Sequence, residues 1–204
     1  MKQILLSATL VLWAFSAGAQ TNTSVNSTCQ LGLNKSPAVR GIRLGMKLDD
    51  LLRLFPRAEE SEHVKPALQK KDSYPNFGII SFDIAPGWYP AIEQFRGIGI
   101  LRFTFIDDRL ADYTVEYSYP PDSPPWPRVE DWVTKVASSF DLPPTSDWTG
   151  AIGSERTLTC NGFQVRATIN LSGRLRVATV ELPYKEQQAR RVAFEEKMRR
   201  DFKP

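Results

Sequence analysis

The chain has 204 residues, of which 42% are hydrophobic and 24% charged, and its formal net charge is +3. Such a composition belongs to a globular chain rather than a disordered one, and so small a positive excess argues against nucleic acid as the main partner. A single histidine and two cysteines leave too few ligands for the usual zinc shells, so neither a metal nor another cofactor is expected.

Read from the N-terminus, Lys2 precedes an apolar run from Ile4 to Phe15 and the small-residue triplet Ala17-Gly18-Ala19. A basic start, an apolar middle and an A-x-A end describe a secretory signal peptide over residues 1–19, with the mature chain starting at Gln20. An apolar run of about 12 residues is too short to cross a bilayer, which takes about 20, and no later segment reads as a transmembrane helix. Export predicts a secreted or periplasmic location, and there an even pair of cysteines is expected to bridge. Cys29 and Cys160 would close a loop with a separation of 131. Neither stands at the cleavage site, so no lipid-modified cysteine is expected.

Residues 20–37 are polar and without hydrophobic period, which predicts a flexible arm pinned at Cys29. Gly41-Ile42-Arg43-Leu44-Gly45-Met46 reads as a short strand and turn, and Leu48, Leu51, Leu52 and Phe55 follow at the i, i+3, i+4, i+7 spacing of an amphipathic helix ending at Pro56. Residues 57–76 show no clear period. Residues 77–84 read as a strand, and a loop with Pro86-Gly87-Trp88-Tyr89-Pro90 leads to two further strands, 98–105 and 111–117, around the turn-forming Asp107-Asp108-Arg109.

The prolines between Tyr117 and Pro127 cannot continue a ladder and mark an internal linker. Val129, Trp132, Val133, Val136, Ala137 and Phe140 then fall on one helical face, closed by Pro143-Pro144. Asn161-Gly162 predicts a type I′ hairpin turn between residues 157–160 and 163–169, and Ser172-Gly173 a second turn into residues 175–182. Residues 184–204 read as a charged C-terminal helix with a thin apolar face of Val192, Phe194 and Met198. The fold class expected is α+β, an antiparallel sheet with helices on one face. Helix plus antiparallel strands occurs in residues 38–119 and again in 120–183, either as a tandem repeat of fold or as one sheet with two helices.

The string Ile42-Arg43-Leu44-Gly45-Met46-Lys47-Leu48-Asp49-Asp50-Leu51-Leu52, ending at Phe55-Pro56, resembles the opening of exported domains similar to beta-lactamase inhibitor protein and to the SmpA/OmlA outer-membrane lipoproteins. In that pattern an LGM turn enters a short helix ahead of antiparallel strands, and the hairpin around Asp107-Asp108-Arg109 is similar to theirs. Lys47 stands where Ser or Thr is common there, so the helix lacks its side-chain cap. The resemblance implies a fold and a non-catalytic habit and carries no contact residue over.

The search for chemistry returns little. His63 lies in the polar stretch Glu60-Ser61-Glu62-His63-Val64 without a G-x-S-x-G elbow, so it reads as a loop histidine. Asp49-Asp50 falls in the first turn of a helix and Asp107-Asp108 at a hairpin tip, both ordinary places for aspartate. From Lys185 onward seven basic residues stand against four acidic ones, the pattern of a solvated helix. Tyr74, Trp88, Tyr89, Tyr119 and Trp126 sit among prolines and glycines, either as a recognition edge or as cover for the sheet ends. The binding residues expected are Trp88, Tyr89, Tyr119 and Trp126. These readings describe an exported, non-catalytic binding or protein-interaction domain, inhibitor-like in form, whose partner is another protein or a cell-envelope component. The alternative is a small secreted hydrolase with a scattered site.

Overall fold

A computed structural model describes residues 29–73, 76–89, 93–118, 126–150, 153–169, 172–180 and 182–203. The expected signal peptide, residues 20–28 of the arm, and Tyr74 and Tyr119 lie outside these residues. The fold is α+β. The helices are α1 (Leu48–Arg53), α2 (Lys65–Gln69), α3 (Val129–Ser139) and α4 (Leu182–Asp201). The strands are β1 (Ile79–Ile84), β2 (Ile98–Ile106), β3 (Arg109–Tyr117), β4 (Glu155–Thr159), β5 (Phe163–Ile169) and β6 (Gly173–Thr179).

All six strands join one antiparallel sheet in the order β1-β2-β3-β6-β5-β4. Two three-stranded meanders therefore meet edge to edge at β3 and β6. The seam registers Asp112 with Ala178, Thr114 with Arg176 and Glu116 with Arg174. Each meander follows a helix, α1 before the first and α3 before the second. Pairing the two inner edges leaves β1 and β4 as the outer strands of one sheet and avoids two separate sheets with four open edges.

Strand alternation sorts the side chains onto two faces. One face buries Ile80, Phe82, Leu101, Phe103, Val115 and Val177, and with α1 and α3 these form a single contiguous core. Val129, Trp132, Val133, Val136 and Ala137 of α3 are all buried, as their spacing predicts. Trp132 is 6% exposed, its indole N–H donates to the Arg174 carbonyl at 3.2 Å, and its ring lies 5.3 Å from Tyr117 and 5.2 Å from Trp126.

Four local expectations change. Residues 41–46 form no strand. Instead an isolated bridge joins Val39 to Ile42, and the segment docks on the β2–β3 hairpin through Gly45 N–H to Leu110 O (2.8 Å) and Leu110 N–H to Met46 O (2.9 Å). The unperiodic stretch after Pro56 contains α2, held at its start by Val64 N–H to Ser61 Oγ (3.2 Å); five residues are too few to display a period. In the β4–β5 turn Gly162 takes φ 95° while Asn161 keeps a negative φ, so the turn is not type I′. That geometry belongs instead to Asp107 (φ 48°) and Asp108 (φ 61°), the two central residues of the β2–β3 turn. Finally, regular structure begins upstream of Ala38, with a 3-10 turn at Leu33–Lys35 and a buried hydrogen bond from Tyr113 Oη to Pro37 O at 2.7 Å.

Cys29 and Cys160 form a disulfide with Cα atoms 4.6 Å apart, both buried. Helix α1 starts at Lys47 without a side-chain cap, as the lysine implied, and Asp49 and Asp50 occupy its first turn. α4 is fastened at its middle, where Arg190 ion-pairs with Asp107 and Glu186 and donates to Phe77 O at 2.9 Å, and Phe194 lies 5.3 Å from Phe77. Beyond that seat Met198 and Phe202 are exposed. Among the described residues no helix is long and apolar enough to cross a membrane.

Candidate functional site

The sheet's second face is polar and ordered into cross-strand rows. One row runs Asp83, Arg102, Thr114, Arg176, Arg166 and Thr157 across all six strands. The next contains Glu116, Arg174, Thr168 and Glu155, and a third, on the other side of the first, carries Ser81, Thr104, Asp112, Ala178, Gln164 and Thr159. The side chains stay in partial contact with water, Arg102, Arg166 and Arg176 being 41%, 40% and 46% exposed. They line a depression of about 510 Å³ over the middle of the sheet.

Opposite charges bind this face into a lattice. Glu116 Oε2 accepts from Arg102 Nη1 at 3.0 Å and from Arg174 Nη2 at 2.9 Å, and Arg102 Nε donates to Asp83 at 3.2 Å. Asp112, the one charged residue that is buried among those described, accepts from Arg176 Nε at 2.9 Å and from its Nη2. Burial alone would raise the Glu116 carboxyl, but the hydrogen bond from Arg102 and the charges of Arg174 and Arg102 outweigh it and hold the group below its ordinary value. The Arg102 and Arg176 guanidiniums are driven up by their hydrogen bonds to Glu116 and Asp112, against burial. Such a face offers hydrogen-bond donors and acceptors in fixed positions.

Of the aromatic residues expected to bind, the three described, Trp88, Tyr89 and Trp126, occupy separate seats. Trp88 is 60% exposed and stacks on His63, ring centroids 4.4 Å apart. Tyr89 is half-buried against Phe55 at 6.0 Å, and Trp126 packs on Trp132. The chain segments bearing Trp88 and Trp126 leave the same end of the sheet, because β1 and β3 both run antiparallel to β2. Their rings nevertheless pair with other residues rather than with each other.

His63 lines a second depression of about 510 Å³ with Glu62, Ser81 and Lys70. The arrangement is not a triad. The Ser81 hydroxyl is bonded to Thr104 Oγ1 at 3.0 Å, and the imidazole lies 3.6 Å from an exposed Glu62 carboxylate. Among the described residues no three His, Cys, Asp or Glu side chains are grouped so as to hold a metal ion.

The polar lattice was missing from the sequence-based site residues. A signal for it existed in the period-2 recurrence of Arg166 and Thr168, of Arg174 and Arg176, and of Asp112, Thr114 and Glu116. Alternation identifies a solvent face; assembling the rows takes the strand order.

No protein-family model matches the chain, and no match was found among curated proteins or solved structures.

Proposed function

We propose that this is an exported, non-catalytic protein-interaction domain, inhibitor-like in form, and that its interaction surface is the open polar face of the six-stranded sheet. The observation that carries the proposal is the ordered charge lattice on that face. Arginine, threonine and carboxylate side chains on six paired strands are pre-positioned by the ladder, so a partner meets little rotamer entropy on docking, and arginine is enriched where interfaces form. The buried Cys29–Cys160 bridge supports export. Polar groups and half-exposed ion pairs suit a folded protein or cell-envelope component better than an apolar small molecule, which takes a mostly apolar pocket.

The test places a photo-crosslinking amino acid at Thr114, in the centre of the face, and another at Lys135, an exposed position on α3. Cross-linking in the native compartment is expected to give discrete adducts from position 114 and none of the same size from position 135. Identical adduct patterns, or none from 114, would overturn the assignment of the face.

The depression around His63 favours one competing reading, a small hydrolase. That reading requires His63→Ala to abolish hydrolysis of an ester, phosphoester or glycoside panel that the wild type turns over. A wild type inactive across the panel removes it.

A further inference from the structure

The open face is electrostatically divided. β1, β2 and β3 contribute Asp83, Asp112 and Glu116 against Arg102, whereas β4, β5 and β6 contribute Arg166, Arg174 and Arg176 against Glu155. One half carries a net two negative charges and the other a net two positive charges.

Within the positive half Arg166 and Arg176 stand directly opposite each other in register, an arrangement of like charges that costs stability. Their anionic neighbours lie elsewhere. Asp112 holds Arg176 from the β3 side, and Glu116 holds Arg174 through a single Nη2 contact at 2.9 Å. Glu155 lies 3.5 Å from Arg166 Nε, beyond good hydrogen-bond length. The Nε atoms of Arg166 and Arg174 are both buried without a hydrogen-bond partner. Dehydrated donors and a like-charge pair, each member ion-paired on its outer side only, with Asp112 or Glu155, thus occupy the same part of the depression, beside the Thr168 and Thr114 hydroxyls.

We infer that the β4–β6 half of the open face is a carboxylate-binding site, where the protein partner seats an acidic side chain between Arg166 and Arg176 with Arg174 alongside. The inference rests on the open face being the interaction surface. A guanidinium presents five donors in a planar fork that fits a carboxylate bidentately. An anion in this position screens Arg166 from Arg176 and engages donors that the face's own carboxylates leave unused. The partner's basic or hydrogen-bond-donating groups then fall over the acidic half, so the charge division fixes docking orientation.

The experiment uses the disulfide-bonded chain and follows the arginine Nε–H resonances by heteronuclear NMR. The probes are triglutamate, inorganic phosphate and trilysine. Triglutamate is expected to give saturable shifts at Arg166, Arg174 and Arg176, roughly tenfold weaker in Arg166→Gln and intermediate in Arg166→Lys, which keeps the charge and loses the fork. Arg43→Gln, an exposed arginine away from the sheet, is expected to titrate as wild type. Arg166 makes no close hydrogen bond, so its variants should fold, and their denaturation midpoints check this. No saturable shift, undiminished binding in Arg166→Gln, or a response to phosphate but not to triglutamate would each overturn the carboxylate assignment. Adducts from position 114 that survive Arg166→Glu would overturn it too while leaving the interaction face intact. Absence of adducts from position 114 alongside normal triglutamate titration would remove the interaction face instead.

Discussion

Tyr113 shows how much one side chain can hold in this protein. It is fully buried at the centre of the sheet, and its hydroxyl reaches Pro37 O at 2.7 Å, tying the segment after Cys29 to β3. Burial, and more weakly the neighbouring Tyr117, push its phenol well above the ordinary value, so it remains a neutral donor. Tyr113→Phe keeps the ring and removes the donor, leaving a carbonyl unpaired, and is expected to cost about 1–3 kcal/mol by urea denaturation; an unchanged midpoint would show that water replaces the bond. Glu116 makes a pH-dependent contribution. Its folded-state value is lowered, so its stabilisation is fully present above the unfolded value and is lost as pH falls through the folded one. Wild-type stability should therefore decline below about pH 4.5, and the decline should be shallower in Glu116→Gln. Parallel stability curves for the two proteins would exclude Glu116 as a source of the acid sensitivity.

At the scale of elements, α3 and the start of β6 depend on one close approach. A Cβ built on Gly173 would meet the Trp132 ring at 2.9 Å, so the glycine is needed for space rather than for turn geometry. Trp132→Ala empties that contact and is expected to cost about 3–5 kcal/mol, whereas Gly173→Ala overfills it and is expected to cost about 1–3 kcal/mol. Combining Gly173→Ala with Trp132→Phe should recover part of the second loss if the two groups compete for the same volume; additive losses in thermal melts would contradict that. The spacing of apolar residues in α3 made its buried face legible from the sequence. The partner of that face was not legible, because Gly173 is distant in the chain and its role depends on tertiary approach.

For the whole molecule, the Cys29–Cys160 bridge joins the N-terminal segment to the end of β4 across a separation of 131. In the chain-entropy account so long a loop contributes about 4–5 kcal/mol by restricting the unfolded chain. Replacing both cysteines by serine is therefore expected to lower the denaturant midpoint without changing the sheet signature in circular dichroism. Two freely alkylated thiols in protein taken from its native compartment would contradict the bridge itself. By itself the sequence determined the pair of cysteines, the buried face of α3, the β2–β3 hairpin and the α+β class, because each follows from local spacing or from counting. Tertiary structure alone decided that the two meanders join at β3 and β6 and that Arg166 faces Arg176. Strand order and register come from long-range pairing between segments whose individual patterns are compatible with many partners, and the charge lattice exists only once that pairing is made.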